Sequence, residues 1–159
     1  MYHEIEIIGN LGSDPEMRYT PSGAAVTNFN VATAERIKKE RNGEEVKCPE
    51  GWKESYNSKY WELTTWFRVT CWRGLAEIAN DFLQKGSQVF VKGTLKGAAV
   101  DGTQNPRVWT GNDGEARASF EVTARTLKFI GSRESGSGQR QQEEEEPPGY
   151  YADENDIPF

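Results

Sequence analysis

The chain has one histidine, His3, and two cysteines, Cys48 and Cys71, among its 159 residues. So few imidazoles and thiols cannot assemble a zinc centre. The two cysteines lie far apart, so they form neither a CxxC pair nor a disulfide framework. One imidazole leaves no obvious general base. Nothing in the sequence points to an enzyme, and no metal or cofactor is expected. Long apolar runs are also missing, since none approaches the roughly 20 residues that cross a bilayer. The opening MYHEIEIIGN carries acids where a secretory leader would carry lysine or arginine. The expectation is a cytoplasmic protein with no membrane segment. Apolar residues make up only 35% of the chain. That is low for a wholly globular protein and fits one domain with a real core plus an unfolded extension.

Basic excess is lacking too. The net charge is −6, unusual for a protein that handles nucleic acid. Its distribution removes the objection. From residue 132 onward eight acids face two arginines, and this accounts for the entire imbalance. Residues 1–131 carry 17 groups of each sign and are neutral.

What is present is strand. His3 to Asn10 alternates and is rich in β-branched residues. A glycine- and proline-bearing loop, GNLGSDPEMRYTPSGAA, follows. Val26 to Arg36 reads as a second strand and Tyr60 to Trp72 as a third. The segment between them, 38–59, turns at Asn42-Gly43, has no period and is expected as a long excursion. Leu75, Ile78, Ala79, Phe82 and Leu83 share one helical face, which Lys85-Gly86 ends. Ser87 to Leu95 is a fourth strand, 97–114 a second polar excursion, and Ala118 to Ile130 a fifth strand. This order predicts an all-β OB-fold, a five-stranded barrel with one helix between strands three and four. Beyond residue 131 the composition collapses to Gly, Ser, Arg, Gln and Glu, which cannot bury enough apolar area to offset ordering. The expected organisation is a barrel over 1–131, a disordered linker over 132–152 and an acidic tip over 153–159.

The third strand has two apolar sides. Leu63, Thr65, Phe67, Val69 and Cys71 lie on one, and Thr64, Trp66, Arg68, Thr70 and Trp72 on the other. Indoles on an exposed strand face offer π surface to any nucleobase, at about 1–3 kcal/mol per stacked base. Arg68 between them suits phosphate or guanidinium stacking. Arg36, Lys38, Lys39, Arg73, Lys92, Lys96 and Arg107 add cations on strand ends and loops. Trp109, in the second excursion, is placed to close over a bound strand. The competing reading is a strand buried on both sides in a sandwich or an oligomer interface; this stretch alone balances the two. Trp61, in phase with Leu63 and Phe67, is expected as a core plug at the barrel end. Trp52 is either a loop anchor or a further stacking ring.

Three segments, 9-GNLGSDPEMRYTPSGAAVTNFNVAT-33, 66-WFRVTCWRGLAE-77 and 83-LQKGSQVFVKGTL-95, together with the closing DENDIPF, resemble the bacterial single-stranded DNA-binding protein family. The resemblance covers nearly all of 3–131 and the last seven residues. It implies an OB-fold, a homotetramer, no catalysis, and single-stranded DNA wrapped over the barrels. By position, Trp66, Trp72 (often Phe in the family) and Trp109 match stacking aromatics, and Arg68 with nearby lysines matches the basic groove. Ile37 stands where many members carry another stacking aromatic, with Trp52 or Tyr56 as candidate replacements. Both excursions are longer than is usual in the family.

The terminus has its own chemistry. Asp153, Glu154 and Asp156 precede Ile157, Pro158 and Phe159, so a fixed anion lies beside an apolar plug. A greasy pocket ringed by Arg or Lys would capture it. A frayed, solubilising end is the plain alternative. The resemblance implies a docking peptide for replication, recombination and repair proteins, and a nucleoid-associated location. The same acids suggest a tail that shields the basic groove when DNA is absent. Two alternatives remain for the barrel: an OB-fold module for single-stranded RNA, or an accessory subunit making only protein contacts.

Overall fold

The computed structural model describes residues 2–100, 103–111, 113–130 and 150–151. Its strands are β1 (Ile5–Leu11), β2 (Glu16–Tyr19), β3 (Ala25–Lys38), β4 (Glu40–Arg41), β5 (Glu44–Glu45), β6 (Lys53–Glu54) and β7 (Tyr60–Trp72). After the helix α1 (Gly74–Phe82) come β8 (Gln88–Lys96), β9 (Ala98–Val100), β10 (Thr103–Asn105), β11 (Arg107–Thr110), β12 (Ala116–Phe129) and β13 (Tyr150–Tyr151).

Five long strands form a closed ring. β7 pairs with β3, β3 with β1, β1 with β8 and β8 with β12, all antiparallel; a parallel β12–β7 pairing closes it. With α1 between the third and fourth ring strands, this is the OB-fold expected from the element order. The inward phase of every ring strand is apolar. Phe29, Val31, Val69, Cys71, Val89, Val91 and Val122 fill the centre, and Leu75, Ala76 and Ala79 of α1 cap one end. Thr27 is buried among them but satisfied, because its hydroxyl donates to the Ala76 carbonyl at 2.7 Å. That bond ties the helix to β3.

Short pieces of strand appear where loops were expected. β2 folds back on β3 through a turn at Thr20 to Gly23, with Gly23 at φ +83°. The 38–59 excursion contains a β4–β5 hairpin whose Asn42 and Gly43 both have positive φ, the signature of a type I′ turn. β6 lies along β7. The second excursion holds the β9–β10 hairpin and β11, which pairs with β12. Tyr150–Tyr151, expected within a disordered linker, pairs with Thr126 and Leu127 of β12. The rest of 132–152 and the acidic tip lie outside the described residues. Among the described residues no helix is long and apolar enough to cross a membrane.

The two thiols differ sharply. Cys71 is fully buried, and burial pushes its thiol pKa up, whereas Cys48 is exposed. One thiol per chain is therefore expected to react with a disulfide reagent at pH 8, and two after denaturation. Two rapid equivalents on the folded protein would show that the barrel opens at Cys71.

Candidate nucleic-acid interface

The geometry follows from the β3–β7 register. Two long antiparallel strands pair without a bulge, so one phase of each faces the core and the other faces solvent. The solvent phase reads, in cross-strand pairs, Val26 with Trp72, Asn28 with Thr70, Asn30 with Arg68, Ala32 with Trp66 and Arg36 with Glu62. Trp66 is 52% exposed and Arg68 is exposed. Trp72 is half-buried. The indoles are six residues apart on one strand face, about 20 Å at the usual rise. Their cross-strand partners are Ala32 and Val26, so no large side chain from β3 covers them. Thr70 donates a 2.8 Å hydrogen bond to Asn28 and fixes the polar stretch between the rings.

The structure sorts the other candidate residues. Arg36 and Lys38 share the register phase of Trp66, and Lys39 has the opposite phase, with its ammonium 4.2 Å from the centre of the Trp61 ring. Arg73 follows Trp72 directly and precedes α1, at φ 51°. Lys96 and Arg107 come together at Glu121 of β12. Arg107 lies 3.6 Å from the Glu121 carboxylate, Lys96 is its register partner on β8, and Arg68 is its register partner on β7. Trp109, 45% exposed, lies two residues beyond Arg107 on β11. A track therefore runs from Trp66 and Arg68 across β12 to Arg107 and Trp109. Lys92 is not on it. It sits on the same strand as Lys96 but four residues away, opposite Glu6 of β1 and Thr126 of β12 beyond the register shift, and bonds to Glu4 at 2.7 Å and Glu6 at 3.5 Å. The tip residues 153–159 lie outside the described residues.

Two features were not expected from the sequence. Trp61 is not a core plug. β3 and β7 extend past the barrel with β6 alongside, so the inward phase of Trp61 no longer points at the core. There the Trp61 indole donates to the Val46 carbonyl at 2.8 Å and roofs the first excursion. It is also the direct cross-strand partner of Ile37, so Trp61 rather than Trp52 or Tyr56 is the ring beside that position. The second feature is acid beside several of the candidate cations. Glu62 bonds Arg36 at 2.7 Å, Glu54 bonds Lys39 at 2.7 Å, and Glu121 pairs with Arg107. Each pair has one member more than half open to water, so solvent screens it and a phosphate can displace the carboxylate. Alternation alone flags Glu62 and Glu121 as outward residues, but only register reveals their cationic neighbours.

These pairs set an acid limit. Hydrogen bonds from Arg36 and then Ser55 hold the Glu62 carboxyl below its ordinary 4.5, and bonds from Lys92 and then Tyr2 do the same for Glu4. A carboxylate whose folded pKa is depressed contributes stability above its unfolded pKa and loses it as pH falls through the folded one. The melting temperature is expected to begin falling below about pH 4.5, and Glu62→Gln with Glu4→Gln should flatten that fall. An unchanged acid slope in the double variant would assign acid sensitivity elsewhere.

The sequence profile described as the single-strand binding protein family matches residues 2–130. Two curated proteins, each called "Single-stranded DNA-binding protein", come from Neisseria meningitidis serogroup A and serogroup B. Each is 36% identical over 136 residues, which is 86% of this chain and 64% of the relative's own length. The matched stretch thus spans a little under two thirds of those relatives. With the family profile covering the whole barrel, the chain belongs to the single-strand binding protein family.

Proposed function

We propose that the protein binds single-stranded DNA without sequence preference, by stacking bases on Trp66, Trp72 and Trp109 and pairing phosphates with Arg68, Arg36, Lys38, Arg73, Lys96 and Arg107. The observation that carries this reading is the outward face of β7. Two indoles flank an exposed arginine, opposite small or polar residues of β3. Stacking uses the π-face every base has, so it tolerates any sequence. The protein protects exposed strands and has no catalytic role of its own. Following the family resemblance, it works as a cytoplasmic, nucleoid-associated homotetramer. Its Asp153–Phe159 tip recruits replication, recombination and repair proteins. The name of the two Neisseria relatives, single-stranded DNA-binding protein, supports the DNA part of this reading.

The test is an intrinsic-fluorescence titration with oligo-dT. Tryptophan emission should quench at low salt and recover as salt is added. Log affinity should fall with log salt at a slope near −0.7 per phosphate neutralised. Absence of quenching at low salt defeats the proposal. Deleting 153–159 should leave DNA affinity equal or higher while abolishing capture of partner proteins, and lost DNA affinity would contradict a shielding tail.

A further inference from the structure

Gly12 occupies the loop after β1, and what lies above it is the Trp66 ring. A Cβ built on Gly12 would collide with Trp66 Cζ3 and would stand 2.6 Å from Cη2. The backbone does not require glycine there, because Gly12 is not in the left-handed region that favours it. The space is withheld by the indole alone.

Neither backbone can give way. The Leu11 amide donates to the Ser87 carbonyl at 2.9 Å, and the Gly86 amide donates to the Leu11 carbonyl at 2.8 Å. The Leu11 side chain is buried in the core, and the Gly12 amide itself donates to the Asn30 carbonyl at 2.9 Å. On the other side Trp66 is held in the β3–β7 ladder opposite Ala32. The loop is pinned at three bonds and the strand along its length, so only the side-chain torsions of Trp66 are free to answer an added methyl. The six-membered edge of the indole rests on the bare Cα while about half the residue stays wet.

We infer that Gly12 is a positioning residue for the Trp66 ring: its missing side chain is the seat that holds the indole in the pose presented to a ligand. For its effect on affinity, this rests on the reading of Trp66 as a stacking ring. Gly12 touches no base; it acts through Trp66. A side chain at position 12 forces the ring to another rotamer, off its staggered well or away from the loop.

The experiment uses the full chain with Gly12→Ala, Trp66→Phe, Trp66→Ala and the double variant Gly12→Ala/Trp66→Ala. The chain has five indole N–H groups, and Trp66→Phe assigns the one from Trp66 in a nitrogen–proton correlation spectrum. Gly12→Ala should shift that resonance without DNA, leave the other four near their places, and keep the melting temperature at or above that of the parent. It should weaken oligo-dT binding several-fold, by no more than Trp66→Ala does. Added to Trp66→Ala, it should change affinity no further. If the Trp66 resonance stays in place in Gly12→Ala, or if Gly12→Ala weakens binding equally with and without the ring, the inference is overturned. If the resonance moves but Trp66→Ala binds oligo-dT as the parent does, the seat stands and the stacking role of Trp66 falls.

Discussion

Trp66→Ala is expected to weaken oligo-dT binding by about 1–3 kcal/mol, roughly 5- to 150-fold, while the barrel stays folded. The expectation comes from where the ring is. Trp66 is among the most exposed large apolar residues of the described chain, and its phase of β7 faces away from Phe67 and Val69. Removing it takes little from the core, so folding loses little; removing a surface for a base takes much from binding. Arg68→Ala should behave differently. On the proposed reading it deletes a phosphate contact, so it should lower the magnitude of the salt slope by about 0.7, whereas Trp66→Ala should leave that slope alone. Trp72→Ala is intermediate, because its half-buried ring contributes to both folding and binding. Isothermal titration at two salt concentrations, with a melt of each variant, separates the three. A Trp66→Ala protein that binds normally but melts far lower would make this indole a core residue, and the outward face would then be a packing surface.

The third ring strand shows why some of this is legible in the sequence. Tyr60 to Trp72 reads as a strand and forms one with those bounds. Thirteen residues of β-branched and aromatic character bounded by polar loops leave little choice. The helix face from Leu75 to Leu83 is equally plain, because apolar residues at a 3.6-residue period over two turns fit a helix and not a strand. The short strands leave no such mark. β4, β5 and β6 are two residues each and entirely exposed. They bury nothing, and backbone pairing and the Asn42-Gly43 turn hold them, so no apolar period betrays them. Trp61 departs from its expected place for a related reason. Phase along a strand predicts which side a residue faces, but not how far the barrel extends beneath it. Arg107 reaches Glu121 through the local β11–β12 hairpin, but Lys96 and Arg68 come from strands distant in sequence, and only closure of the ring through the β12–β7 pairing brings Arg68 there.

Closure itself depends on a glycine that no sequence pattern singles out. Gly93→Ala is expected to destabilise the barrel by about 1–3 kcal/mol or more, out of the roughly 5–15 kcal/mol that holds such a domain. Gly93 lies in β8 between Ile5 of β1 and Ala124 of β12, next to the register shift in β12. A Cβ there would collide with the Thr123 carbonyl oxygen, 2.9 Å from its carbon and 3.0 Å from the Ala124 Cα. Those atoms are backbone, so relief requires β8 and β12 to part, and β12 is the strand that closes the ring onto β7. Gly12 differs because the atoms above it end a rotatable side chain. Gly9 resembles Gly93, since its Cβ would meet the Ala32 carbonyl oxygen at the β1–β3 seam. Gly23 is the control: nothing lies within 4 Å of its Cβ, but its φ is +83°. Gly23→Ala should therefore show only the left-handed backbone cost, about 1–2 kcal/mol, without touching a ring seam. Urea unfolding should place the Gly93→Ala midpoint well below that of the parent. Because the β12 edge carries Glu121 beside Arg68, parting the seam should also disturb the basic track, so oligo-dT affinity should fall with stability. A Gly93→Ala protein that unfolds at the parent's midpoint would mean the two strands meet more loosely than their register implies.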